Sequence, residues 1–204
     1  DWSSINGTSS SATFSGTLDG NGYAIKNLSG HTTSVKRSVF YRLNYATIKN
    51  LEFENINLSI GSGWQGGVLA YGAKNSRIDN ISVTGYLDTS KDTGLIHDIE
   101  GCEMSNIFMD LTADKGSNSI YSYDNHLLKA STLNNAIVIN SGIKSTSILT
   151  AQNSFYYTTL TGSFAGTALT LETMKDINTF VGFDFDNIWY MDEKEGHPKL
   201  RISQ

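Results

Sequence analysis

The chain has 204 residues, 39% of them hydrophobic, and 15 basic against 20 acidic side chains give a formal net charge of −5. That is apolar material for one well-buried core, and the negative balance, with no lysine or arginine cluster among aromatics, excludes nucleic acid as a partner. No apolar run approaches the roughly 20 residues that a membrane-spanning helix needs, so membrane insertion is not expected.

Nineteen glycines and ten tyrosines stand beside a single proline and 17% charged residues, which suits strands and turns better than helices. The expectation is an all-β fold. The first residue is Asp1 rather than Met, and the chain reads as a processed or excised piece of a larger parent chain.

From the N-terminus, residues 1–13 read as an edge segment, and the repeat begins after them. The tetrapeptide apolar-x-Asn-apolar occurs as Ile25 to Leu28, Ile48 to Leu51, Ile78 to Ile81, Met104 to Ile107 and Leu133 to Ala136, at spacings of 23, 30, 26 and 29. Such a period belongs to solenoids, with loops that vary while strands keep register. Asparagine tolerates the left-handed backbone region, so each Asn marks a bend between two inward apolar residues. Alternation resumes after it in Leu51 and Phe53, Ile81 and Val83, Ile107, Met109 and Leu111, and Ala136 and Val138, which puts each set on one face. Glu52, Ser82 and Asp110 then point to solvent.

Two residues before each anchor stand Ala46, Ser76, Cys102 and Ser131, all small, with Tyr23 departing in the first copy. Cys102 is the sole cysteine, so no intrachain disulfide forms, and with no base beside it in sequence it reads as core filler. A second strand precedes each bend: Ser38 to Tyr41, Gly67 to Tyr71, Gly94 to His97 and a weaker one around Leu127 and Leu128. The fold expected is a right-handed parallel β-helix of about five coils over residues 14–160, a rod roughly 25 Å long at about 4.8 Å per coil. Residues 161–204 are expected to form a C-terminal cap: Thr170 opens a short helix through Ile177, and Phe180, Phe183, Phe185, Ile188 and Trp189 plug the end of the core. The whole is expected to be a single domain.

The stretch Phe14 to Leu28, with Gly16, Gly20 and Gly22, resembles the opening coil of bacterial extracellular repeat proteins bearing the GLUG motif. Gly66 to Tyr71 followed by Ile78 to Gly85 is similar to its repeating unit, and Phe180 to Trp189 with Pro198 to Arg201 resembles the segment that closes such repeats. The Gly-rich unit is degraded in the coils at Val39 and Leu127, and the usual strand upstream of the first coil is reduced to Asp1–Ile5. The resemblance implies a parallel β-helix at the cell surface or outside the cell, in an adhesin-like protein or in the accessory region of a secreted peptidase such as those that cleave immunoglobulin A.

Counting seven residues back from each anchor gives Tyr41, Tyr71, His97 and His126, one ring per coil. Facing outward, the rings form a strip for a sugar or a partner protein; facing inward, an internal stack, which the apolar residues of the same parity favour. With Trp64, in the loop Gly61–Gln65, these are the candidate ligand-binding residues; Ser117–Tyr123 is a second candidate loop. His97 and His126 supply only two metal ligands, so no metal and no cofactor is expected. Asp88, Asp92, Asp98 and Glu100 are the one modest acidic cluster of the coils, and read as a solvated turn rather than a glycosidase pair. There is no Gly-x-Ser-x-Gly, His-Glu-x-x-His or Cys-x-x-Cys, and Gly16, Gly20 and Gly22 lack the helix and Lys-Ser/Thr of a phosphate loop, so no catalytic residue is assigned. The functional expectation is an extracellular binding or spacer module contacting host protein or carbohydrate, with a polysaccharide-active enzyme or an accessory region of a secreted metallopeptidase as alternatives.

Overall fold

A computed structural model describes residues 13–32, 38–60, 66–89, 93–112, 118–124, 131–140, 150–157 and 165–202. In chain order the strands are β1 (Thr17–Asp19), β2 (Ala24–Lys26), β3 (Ser29–Thr32), β4 (Phe40–Asn44), β5 (Thr47–Ile60), β6 (Gly67–Lys74), β7 (Arg77–Thr89) and β8 (Thr93–Glu100). There follow β9 (Glu103–Thr112), β10 (Asn118–Asp124), β11 (Thr132–Ile139), β12 (Thr150–Tyr157), β13 (Thr167–Ala168), β14 (Trp189–Asp192) and β15 (His197–Leu200). Two parallel sheets result, one ordered β1-β5-β7-β9-β11-β12-β13 with β2 and β3 also along β5, the other ordered β10-β8-β6-β4. Strands alternate between the sheets along the chain, so the architecture is a parallel β-solenoid.

The asparagine motif has a specific geometric cause. Asn50, Asn80, Asn106 and Asn135 have φ of 53°, 56°, 52° and 52°, a left-handed step that costs asparagine less than other residues with a Cβ. One such step breaks two-residue alternation, so residues three apart, such as Ile48 and Leu51, both reach the interior. In β5 the inward residues are Ile48, Leu51, Phe53, Ile56 and Leu58, and each three-residue gap spans an asparagine, Asn50 and then Asn55 at φ 54°. Equivalent residues pair in register, Ile48↔Ile78, Ile78↔Met104 and Met104↔Leu133. The interior is therefore continuous aliphatic contact from rung to rung, each fully buried side chain contributing about 1.5–3 kcal/mol.

Side-chain amides tie the column together: Asn80 Nδ2 donates to Asn50 Oδ1 at 2.8 Å and Asn135 Nδ2 to Asn106 Oδ1 at 3.3 Å. At the middle rung Asn106 Nδ2 turns instead to Asp79 Oδ1 at 3.0 Å, where Ser105 Oγ also donates at 2.7 Å; a carboxylate is the stronger acceptor. The column runs further than the motif search indicated. Asn153, φ 44°, continues it, since Asn134↔Gln152 and Ala136↔Ser154 bracket it against Asn135.

The first motif copy is a correction. Ile25 pairs with Phe53, and Asn55 Nδ2 donates to Asn27 Oδ1 at 2.8 Å, so Asn27 heads a second column beside Asn55 rather than lying above Asn50. The segment Phe53 to Ile56 is itself a copy of the motif. The place above Asn50 is taken by Gly20, whose N–H bonds Lys49 O at 2.8 Å and where a Cβ would stand 2.3 Å from Asn50 O. The chain thus spends two motif copies on one strand. Passing from β4 to β6, β8 and β10 makes about three turns, not five.

At the other corner, among the described residues, a left-handed residue again marks the turn, Tyr45 (φ 53°), Asn75 (46°) and Gly101 (59°). The small-residue slot that follows is buried as expected: Ala46, Ser76, Cys102 and Ser131 are at most 3% exposed. The hydroxyls there cap backbone N–H groups of the preceding rung, Ser76 Oγ that of Ala46 and Ser131 Oγ that of Cys102, both at 3.1 Å. Cys102 Sγ donates to Ala73 O at 3.3 Å, so the thiol is core filler.

The C-terminal segment does not plug the end of the core. Ile107, Met109, Ala136 and Val138 belong to the interior, whereas Phe108, Ile137, Ile139 and Phe155 belong to a second core with Met174, Phe180, Phe183, Trp189, Leu200 and Ile202. Alternate residues of β9 and β11 point outward, so this second core lies on the outer face of the long sheet. That is why the run Ala136 to Ile139 is apolar without alternation, being buried on both faces, and why Ser82, expected in solvent, is 6% exposed. The short helix is realised as two 3₁₀ turns, Thr173–Lys175 and Ile177–Thr179. The residue at the cap of the first is Glu172, which makes no side-chain cap bond; Thr170, expected there, stands two residues earlier, its Oγ1 accepting from Thr173 N at 3.1 Å. The extended Asp176, ψ 111°, ends it after one turn.

Candidate functional site

The rings predicted to stack do so in part. Tyr41 and Tyr71 lie 5.4 Å apart and 22° from parallel, and Tyr71 and His97 5.2 Å and 21°. All three are buried, at 6%, 9% and 7% exposure, which leaves little of any ring for a ligand. The Arg42 guanidinium lies 5.8 Å from the Tyr41 centroid and 5.6 Å from that of Tyr71. The Arg42 side chain also passes over Gly72, at ordinary van der Waals distance from where a Cβ would stand.

His126 and Trp64 lie outside the described residues. The strand β10 nevertheless corrects the basis for choosing His126: Tyr121↔Ile96 and Tyr123↔Asp98 put Ser122 level with His97, four residues earlier than His126. Counting back from the anchor assumes a corner of constant length, and before Leu133 the corner is longer. The same strand corrects two further expectations, since β10 takes the place assigned to Leu127 and Leu128, and Asn118–Asp124 is strand rather than loop.

The acidic cluster divides between sheets. Asp88 lies on β7 in the long sheet; Asp98 and Glu100 lie on β8 in the other, and Asp92 is outside the described residues. Asp98 and Glu100 share a shallow recess of about 180 Å³ with Arg42 and Lys74. Lys74 Nζ meets Glu100 Oε1 at 2.7 Å across the rungs. Lys49 pairs with Asp19 in the same way at 3.0 Å, and Lys26 with Glu54 at 2.5 Å. The Lys49–Asp19 and Lys26–Glu54 pairs lie at the surface, where water and salt weaken them, while the Glu100 carboxylate is more sheltered; all three read as register devices. Among the described residues no three His, Cys, Asp or Glu side chains come together to hold a metal.

A further cleft is one the sequence reading missed. It encloses about 500 Å³ between the long sheet and the β14–β15 hairpin. Its floor is Ser82 and Thr84 on β7, flanked by Glu52 and Glu54 on β5 and by Phe108 and Asp110 on β9. Thr84 is short between the longer Glu54 and Asp110, while Ser82 and Phe108, 6% and 1% exposed, lie under the C-terminal segment. The hairpin forms the wall with Tyr190, Glu195, Lys199 and Arg201. Its cations are already engaged: Lys199 Nζ lies 2.8 Å from Glu195 and 3.3 Å from Asp192. Arg201 Nε donates to Trp189 O at 2.9 Å and Nη2 to Phe185 O at 3.3 Å. Burial pulls the Lys199 pKa down, but Glu195 and Asp192 more than offset that and hold it above the ordinary lysine value. The only sequence signal for this site was the two-faced apolar run of β11, which implies a covering layer without saying what frames its edge.

These features define a parallel β-solenoid whose outer face is partly covered by its own C-terminal hairpin. Comparisons agree with that class. Residues 7–85, under half of the chain, match the family model for the M26 IgA1-specific metallo-endopeptidase N-terminal region. A candidate immunoglobulin A1 protease from Bacteroides ovatus, known from a crystal structure, has a similar fold with a TM-score of 0.61 at 17% identity. The match covers 100% of this chain and 82% of that one. Among curated proteins none matches.

Proposed function

We propose that this chain is a non-catalytic β-solenoid segment of a secreted metallopeptidase of the immunoglobulin A1-cleaving kind, positioning other parts of a larger parent chain outside the cell. The observation that carries the reading is the match of residues 7–85 to the N-terminal region of such endopeptidases; the Bacteroides ovatus fold, similar along the whole chain, supports it. The sequence has no His-Glu-x-x-His, so in this reading zinc chemistry belongs to another part of the parent. Adhesin-like contact with a host protein or glycan, with GLUG-type repeats as its frame, is the second reading. The cleft beside the hairpin favours it, because a pure spacer has no use for one.

The test is incubation of immunoglobulin A1 with zinc and either the purified chain or the full product of its reading frame. The heavy chain is expected to stay intact with the first and to be cut by the second. Cleavage by the chain alone, or a parent without a metallopeptidase domain, contradicts the reading.

A further inference from the structure

The C-terminal segment runs back along the solenoid against the order of the strands. The Phe180 and Phe183 rings lie 5.2 Å and 5.7 Å from that of Phe155 on β12, and a Cβ on Gly182 would stand 2.6 Å from Asn153 Nδ2 of the same strand. Further along, His197 stacks on Phe108 of β9. At the far end the Ile202 carbonyl lies on Gly22, between β1 and β2. From β1 to β12 the sheet passes β5, β7, β9 and β11, five spacings of about 4.8 Å, or about 24 Å. One continuous segment touches both ends.

Gly22 is shaped for this contact. Its φ is 79°, in the left-handed region, and a Cβ would collide with the Ile202 carbonyl, so a residue with a side chain both strains the bend and lifts the segment. The Gly22 N–H donates to Asn50 O at 3.1 Å, which fixes the backbone that Ile202 meets. Ile202 is 5% exposed and belongs to the second core with Phe155, Phe180 and Phe183, so that core reaches from β12 to the first rung.

In a bare solenoid each rung touches only its neighbours, and a disturbance in the first rung fades before it reaches the last. A segment packed on both ends adds a second path. We propose that residues 180–202 form a strap that couples the first rung to β12 directly, so that releasing it at Gly22 loosens the outer face of β12 without opening the inner core. This inference rests on the fold alone and not on any link to a peptidase.

The test is hydrogen exchange, read by mass spectrometry on the whole chain. Gly22→Ala is expected to speed exchange at least about tenfold in β12 and in 180–202, as the strain of a left-handed alanine and its clash require, with β6 and β8 little changed. Ile25→Ala is the control, because Ile25 of the same rung packs on the inner core instead; it is expected to speed exchange in β5 and leave β12 unchanged. Phe183→Ala, at the opposite end, tests the reciprocal direction and is expected to speed exchange over 17–27, since coupling between two sites is mutual. Should Gly22→Ala fail to fold, the Phe183→Ala result decides. Acceleration confined to the first rung and β5 in Gly22→Ala, equal acceleration of β12 by Ile25→Ala, or an unmoved first rung in Phe183→Ala overturns the proposal.

Discussion

The Phe108 ring lies 5.5 Å from the His197 imidazole and 20° from parallel, joining an outward residue of the third long strand to the C-terminal hairpin. This contact makes the hairpin part of the fold rather than an appendage. Replacing Phe108 with alanine removes the centre of the second core and is expected to cost about 3–5 kcal/mol. Urea unfolding measures the loss, and limited proteolysis is expected to cut first within 165–202. A global loss with no local protease sensitivity is the contrary result.

The left-handed asparagines predict a graded series. Asn106→Gly keeps the conformation at φ 52° but loses the hydrogen bonds to Asp79 and Asn135, an expected loss of about 1 kcal/mol. Asn106→Val adds the cost of a β-branched left-handed residue, for about 2–4 kcal/mol in all. Chemical denaturation that ranked valine above glycine would contradict the explanation of the motif.

Asp19 is held down to a pKa of about 2, by the Asn50 side-chain amide first, then the Asn21 N–H and Lys49. Its folded value lies below the unfolded one, near 3.8, so its contribution is present above pH 4 and disappears as pH falls from there through about 2. Carbon-detected NMR of the carboxyl should give a midpoint near 2, and Asp19→Asn should remove this part of the acid sensitivity. An ordinary midpoint would mean that Asp19 does not cap the asparagine column.

Cys102, at 1% exposure, should resist a thiol reagent in the native chain and react fully in denaturant. Rapid native labelling would place it outside the core.

How much of this was legible follows from periodicity. Alternation on one face of β5, β7, β9 and β11 gave the interior, and asparagine chemistry gave the corners, because both are local. The coil count failed because Asn27 and Asn55 form a column of their own, and only strand pairing tells which of two identical motifs stacks on which. The fourth member of the ring column, His126, lies outside the described residues; the count back to it assumed a constant corner, whereas Ser122 is the residue level with His97. The cleft was invisible because it needs Ser82 and Thr84 to lie between Glu54 and Asp110, side chains of three different rungs, and a hairpin from the far end of the chain. His197 and Lys199 look like terminal residues of no consequence until that hairpin is docked.

The stacking register carries every conclusion above, and disulfide trapping reads it directly. In a Cys102→Ala background, cysteines at Arg77 and Glu103, which pair across β7 and β9, should close readily because their Cα atoms are about 5 Å apart, within the 4.4–6.8 Å a disulfide spans. Cysteines at Arg77 and Ser105, about 8 Å apart on the diagonal, should not. Closure of the second pair and not the first would show a different register and undo the solenoid, its asparagine columns and the cleft beside its hairpin together.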